Sequence, residues 1–479
     1  MDATKDPNPS DEKSGGTSTD PQEEKDTTTT TSSSSKVEKS QSGAWIRYRI
    51  EYRHRETNEL IHWSTKADED FFVHIQGQDQ TRGADSPAFE LIAVYKTRPV
   101  GSNVSQPAVP GAKEAAPPPT SMAPSYQLHI YSFAIINALQ SVVQYYPGQE
   151  LTGDDIVVHW PYPILVHHYD ELSKFRENCV AKDPAALCVR EKDAYEHLGL
   201  LLQFLDQHVM EEIKAEKERN RNGFVTFEGM WVALKPGVTV LSSMVETQDW
   251  VPGVVHSVSG GIFENPPEMW SVNKWSMQYN GEYVGRKLGL VNFVKFDGEL
   301  EMTKASIVID PDDDEAMKKD ERVMKLIKHG EMYWKLLRKQ CRYYKGKTRE
   351  FPYNVVCTKT LSILKSTLTF FQIDSHVMAD LDSFYTENNY RKPELMDTSD
   401  CRNWTSDCTC TVCKENKTVG NKKIEPLFNN YNWITLEKWD ELTDHQYILC
   451  PNEMHSFVFR TRTWGKRSLV SARSSQHIG

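Results

Sequence analysis

The chain has 479 residues and a formal net charge of -11, with 38% hydrophobic and 26% charged residues. That length supports several domain-sized cores, while the acidic balance excludes a global electrostatic attraction to nucleic acid or anionic lipid. No window approaches eighteen continuous apolar residues, so no membrane-spanning helix is expected.

Nine cysteines, an odd number and mostly scattered, fit free thiols in a reducing compartment better than a secreted disulfide scaffold. The first residues hold no apolar run before a cleavage site. The expected location is the cytoplasm or nucleus.

Residues 1–42 are Ser, Thr, Asp, Glu and Lys with little to bury, and are expected to be a disordered tail. A small β-rich module follows over 43–100, because AWIRYRIEYRH, ELIHWST, FFVHI and FELIAVYKTR alternate at the period of half-buried strands. Residues 101–124 are a Pro/Ala-rich linker and the clearest internal boundary.

The helix-rich α/β module 125–223 then opens on a strand in LHIYS. A helix follows, with Ser132 as N-cap and Ile135, Leu139, Val142 and Val143 on one face. IVVHW is another strand, and Pro161 and Pro163 predict an irregular turn. Tyr195 to Arg221 is predicted as one long helix, since Leu198, Leu201, Leu202, Leu205, Val209 and Ile213 recur at threes and fours.

Over 224–310 the period returns to two, predicting a small antiparallel sheet or barrel-like module. Asn280-Gly281 is its strongest hairpin signal, expected as a type I′ turn with positive φ at both residues. The acidic run Asp310 to Glu315 lacks the offsets of a calcium loop and is expected to be a solvated turn. A helical segment covers 311–350, a mixed module with a Cys-containing insert covers 351–464, and a polar tail covers 465–479. The fold class is α+β, in several modules.

Four constellations bear on chemistry. His129, His159, His167 and His168 crowd one region, but no HExxH occurs, and a ligand set of His159, His167 and Asp170 is weaker than a reading as satisfied core histidines. Cys401, Cys408, Cys410 and Cys413 form a sharper zinc candidate, because Cys410-x-x-Cys413 can place two thiolates on one ion, although a second paired half is absent. A noncontiguous enzyme site around His159, Tyr162, His168 and Asp170 is an alternative. So is nucleic-acid stacking on Trp231, Trp250, Trp270 and Trp275 beside Lys274, Arg286 and Lys287. No GxxxxGK[ST], GxSxG or GxGxxG motif is present, so neither nucleotide hydrolysis nor any contiguous catalytic set is expected in this chain.

The block SVVQYYPGQELTGDDIVVHWPYPILVHHYDEL resembles the opening of the DUF7025-type N-terminal region of large fungal AAA-type ATPases. EEIKAEKERNRNGFVTFEGMWVALKPGVTV, WSMQYNGEYVGR, FVKFDGE, RVMKLIKHGEMYWKL, IDSHVMAD and LTDHQYILCPNEMHSFVFRTRTW continue the series in order. The similarity spans about Tyr126 to Trp464. It implies a non-catalytic accessory region that recognises a protein substrate or partner, with ATP and Mg²⁺ used by a separate core that also sets any oligomer. Two departures stand out. YNVVCTKTLSILKSTLTF, between Pro352 and Phe371, reads as a retained intron or a buried strand. After Trp464 the chain turns polar, as expected of a truncated gene product.

Overall fold

The structure, a computed structural model, describes residues 45–64, 87–97, 124–153, 155–180, 189–243, 250–259, 268–309, 320–349, 370–388, 390–397, 427–437 and 442–469. The tail 1–42, the Cys401–Cys413 cluster, the acidic run at 310–315 and nearly all of 353–371 lie outside the described residues.

Strands β1 (Ile46–His54), β2 (Leu60–Ser64), β3 (Phe89–Thr97), β4 (Ser125–Ile130) and β5 (Ile156–His159) form one sheet in the order β2-β1-β3-β4-β5. β1 and β3 run parallel, and β3 pairs antiparallel with β4, Phe89 opposite Ile130. The Pro/Ala-rich stretch 101–124 therefore connects two neighbouring strands of a single sheet. Linker composition reports only that a segment has little to bury; it carries no information about pairing between the strands it joins.

Alternation decides the faces of this sheet. Tyr48, Ile50, Tyr52, Phe89, Leu91 and Ala93 point into the core. Arg47, Arg49, Glu51 and Glu90 occupy the opposite face. Glu90 is fully buried, and its carboxylate accepts from Arg47 at 2.9 and 3.1 Å and from the Tyr131 hydroxyl at 3.0 Å, with Arg49 at 3.3 Å. Such a charge holds its place only because several donors converge on it.

Helix α1 (Phe133–Val142) starts as its sequence predicts, with the Ser132 hydroxyl accepting from Ile135 N. After β5 come α2 (Pro163–His167) and α3 (Tyr169–Val180). The stretch predicted as one long helix is two, α4 (Val189–His208) and α5 (Met210–Arg221). Val209 leaves helical geometry at φ -133°, a break that buries both Val209 and Met210 where a continuous helix would turn one of them outward.

β6 (Phe224–Thr226) pairs with β11 (Glu299–Glu301), and Met230–Ala233, which alternation assigned to a strand, forms helix α6. All four α6 residues are buried, which a half-buried strand does not achieve. β7 (Thr239–Ser243), β8 (Trp250–Ser259), β9 (Met269–Tyr279), β10 (Tyr283–Val294), β12 (Val308–Ile309) and β15 (Ile434–Thr435) form an antiparallel sheet in the order β12-β7-β8-β9-β10-β15. The β9–β10 hairpin lies at Asn280-Gly281, but only Gly281 has positive φ, +100°. Asn280 instead turns its side chain inward, and its Oδ1 accepts from Glu282 N and Tyr283 N at 2.9 and 2.8 Å. Side-chain capping replaces the second left-handed residue.

Beyond lie α7 (Glu321–Leu336), β13 (Gln340–Arg349), β14 (Phe370–Ala379), α8 (Leu381–Glu387), α9 (Asp444–Ile448), β16 (Glu453–Val458) and β17 (Thr463–Ser468). The segment QCRYYKG, read as the end of a helix, begins β13. β13, β14, β16 and β17 each pair with the next, and β17 returns to β13 through Thr348 and Arg349. The chain from Gly465 to Ser468, assigned to a polar tail, completes β17.

The six-stranded sheet separates two cores. Val240, Val255, Trp270 and Val272 pack with α1, α4 and the first sheet. Leu241, Val254, Trp275, Met277 and Val284 pack with α7, α8 and α9. Among the described residues no helix is long and apolar enough to cross a membrane.

Candidate functional site

The sequence WSVNKWSMQY of β9 carries an unusual phase. Trp270 and Val272 are buried on one face, Trp275, Met277 and Tyr279 on the other, and the pattern changes over between Asn273 and Lys274. Lys274 follows Trp270 and Val272 on the first face, where the core gives way to a cleft of about 560 Å³.

Met230, Val291, Phe293, Phe296, Leu300 and Ala305 make the cleft wall largely apolar, with Ser242 and Val251 beside the lysine. Lys274 Nζ donates to Ser242 Oγ and, at 3.0 Å, to Val251 O, and Ser242 Oγ itself donates to Val251 O at 3.1 Å. No carboxylate among the described residues pairs with this amine. Burial, uncompensated by a counter-charge, pushes Lys274 down to about 8.

The backbone around it is fitted to the lysine stem. A Cβ on Gly253 of β8 would stand 2.8 Å from Lys274 Cδ, and Gly289 of β10, opposite Lys274 in register, adds no side chain. Next to Gly253, Pro252 has no N–H to give a ladder, and Met277 N donates not to β8 but to Leu449 O at 2.9 Å. β8 and β9 thus splay where α9 enters, and a second cavity, of about 280 Å³, opens there between Val251, Tyr385 and His455. Gly253→Ala is expected to displace the Lys274 stem and return its titration midpoint toward that of an exposed lysine, read by pH-dependent reductive methylation of Lys274. An unchanged midpoint would show that the stem does not depend on this contact.

The histidines fall into two pairs: burial lowers His159, helped by nearby His129, which lies 3.4 Å from Asp155, and His167 adjoins His168. The Trp231 carbonyl can only accept, so His167 Nε2, 3.0 Å away, donates to it, and Nδ1 accepts from the Tyr146 hydroxyl, also at 3.0 Å. Complete burial holds His167 down at about 3, despite that carbonyl. Burial also lowers His168, which lies 3.5 Å from Glu171. Tyr162 packs on Trp160 and Phe204, Asp170 meets Lys217 at 3.3 Å, and His159 sits on β5 opposite Gln127. Tyr162, His168 and Asp170 thus each meet a different neighbour, an arrangement that does not favour the noncontiguous enzyme site expected with His159. Among the described residues no three His, Cys, Asp or Glu side chains stand where they could hold a metal. Cys401, Cys408, Cys410 and Cys413 fall outside them.

Trp231, Trp270 and Trp275 are core rings, and the Arg322 guanidinium lies over Trp250 at 5.3 Å. Arg286 is fully buried, bonding Asn432 Oδ1 at 3.0 Å and Asp397 O at 2.7 Å with its guanidinium over Trp275. Of the residues expected to form a stacking platform and basic groove, Trp231, Trp270, Trp275 and Arg286 are therefore packing elements, while Lys287 is exposed. Sequence reading treated Lys274 only as a member of a basic patch. The signal for its real setting was the break in the period of β9.

Residues 215–308 match the family DUF7025, described as a domain of unknown function. That stretch contains every residue lining the Lys274 cleft. Comparison with curated proteins and with solved structures gives no match.

Proposed function

We propose that this chain is a polypeptide-recognition region, in which an extended segment of a partner or substrate adds to the outer edge of β10. The observation carrying this reading is the edge itself. Among the described residues β15 meets β10 only at Tyr283 and Val284, and Met396 N takes Arg286 O. From Lys287 to Val294 β10 pairs with β9 on one side and with no described strand on the other, while Leu290 and Val294 are 60% and 74% exposed. A long apolar edge is a template for pairing, and folds that do not use it blunt it with charge or proline. The net charge of -11 favours a basic segment.

The ordered resemblance from Tyr126 to Trp464 supports an accessory role beside an AAA-type ATPase. In that reading capture occurs here, and ATP hydrolysis belongs to a separate core.

A fluorescein-labelled decapeptide of alternating valine and lysine tests the edge by anisotropy. Binding is expected at micromolar concentration, on the order of -8 kcal/mol. Methylating alternate backbone nitrogens of the peptide is expected to abolish binding, and Leu290→Ser with Val294→Ser to weaken it about tenfold, or about 1.4 kcal/mol. Equal binding of the methylated peptide would exclude strand addition.

A further inference from the structure

The Lys274 cleft, walled in part by Val291, Phe293 and Val294 of β10, supports a second inference that does not require strand addition. We propose that Lys274 is a carbonyl-reactive amine, whose Nζ condenses with the aldehyde of a ligand that fills the apolar cleft with its hydrocarbon body. The geometry supplies the three things such a reaction needs: an uncommitted lone pair, an apolar enclosure and a hydroxyl relay.

The lone pair follows from the hydrogen bonds. The Val251 carbonyl can only accept, and Ser242 Oγ already directs its proton at that carbonyl. Both oxygens therefore receive N–H bonds from Nζ. A neutral amine has two N–H groups, so this pair of contacts satisfies it completely and leaves its lone pair for an electrophile. An ammonium would carry a third N–H with no carboxylate of the described residues to meet it. Phe293, Phe296 and Leu300 offer apolar surface, not a counter-ion.

The step balances without a redox partner. The Nζ lone pair attacks the carbonyl carbon and the C=O π pair moves to oxygen. One amine proton passes to Ser242 Oγ as the serine's own proton turns from Val251 O to that oxygen, giving a carbinolamine. The nitrogen lone pair then expels hydroxide, which takes the remaining Nζ proton. An imine and one water result. Burial favours the reactive form: with its titration near 8, about a quarter of Lys274 is neutral at pH 7.5, against about one in a thousand for an exposed lysine.

The test is hexanal with cyanoborohydride on the full chain, followed by peptide mapping of alkylated lysines. Lys274 is expected to be labelled about tenfold faster than exposed Lys214, allowing for the lower intrinsic nucleophilicity of a less basic amine. Its rate should rise with pH and level off above about 8. Hexanol, which fills the cleft without reacting, should protect Lys274 and not Lys214. Ser242→Ala, which keeps the lysine and the sheet, should slow labelling, and Lys274→Met should remove the fast site while leaving thermal unfolding unchanged. Equal labelling of Lys214 and Lys274, failure of hexanol to protect, or an unchanged rate in Ser242→Ala would overturn the proposal. Should Lys274→Met unfold, the protection and Ser242→Ala results decide.

Discussion

Gly330→Ala is expected to destabilise the chain by about 3 kcal/mol or more, read as a lower urea midpoint. Gly330 lies inside α7, where alanine is intrinsically favoured over glycine by about 1 kcal/mol. Tertiary contact opposes that gain. A Cβ at Gly330 would stand 2.0 Å from the Tyr447 carbonyl oxygen and 2.6 Å from its carbon. The obstacle is backbone, in a helix pinned by its own capping box between Thr443 and Gln446, so it cannot swing aside as a side chain would. α9 must move away, and Leu449 O then leaves Met277 N. Amide exchange at Met277 is therefore expected to accelerate. Lys328→Ala on the exposed face of the same helix should stay within about 0.5 kcal/mol of the parent. A Gly330→Ala midpoint equal to that control would show that the two helices do not approach this closely.

Acid sensitivity is the second large effect. His167 and His168 are both held below the ordinary histidine value, chiefly by burial, while in the unfolded chain both titrate near 6.5. Above that pH neither state binds the proton and their contribution is complete. As pH falls below 6.5 the unfolded state takes up protons that the folded state refuses, so stability falls with pH by about 1.4 kcal/mol per unit per histidine. For His167 the loss continues down to about 3. Glu171 adds to the acid limb: burial works against its charge, but His168 and Lys235 hold it well below the usual carboxylate range. Urea midpoints between pH 7.5 and 4.5 measure the slope. His167→Gln, whose amide offers both a donor and an acceptor but does not titrate, should flatten it by about 1.4 kcal/mol per unit. An equally steep variant would mean that His167 is reached by solvent in the folded state.

These two sites divide between what was legible and what was not. The crowded block from Tyr126 to Leu172 announced a packed interior, and Tyr146, Tyr162, His167 and His168 are indeed wrapped by aromatic neighbours. The importance of Gly330 was not visible. In sequence it was only a weak point in a helix, because its constraint lies in a residue more than a hundred positions away.

The candidate site follows the same division. Lys274 was legible as a cation, and the neighbouring tryptophans as aromatic payload. Which of them faces solvent depended on what covers each side of β9.

By itself the sequence determined the α+β class, most strands, the Ser132 cap and the place of the β9–β10 hairpin. Those features answer to local period, capping and turn chemistry, which act within a few residues. Tertiary structure alone decided that β3 pairs with β4 across the Pro/Ala-rich stretch, that Val209 breaks a helix, and that β9 buries both faces. It also decided that Lys274 stands at an apolar cleft with no carboxylate of the described residues beside it. Desolvation and strand pairing are set by groups distant in the chain, and a period of two or 3.6 records only that a face is buried, not what buries it.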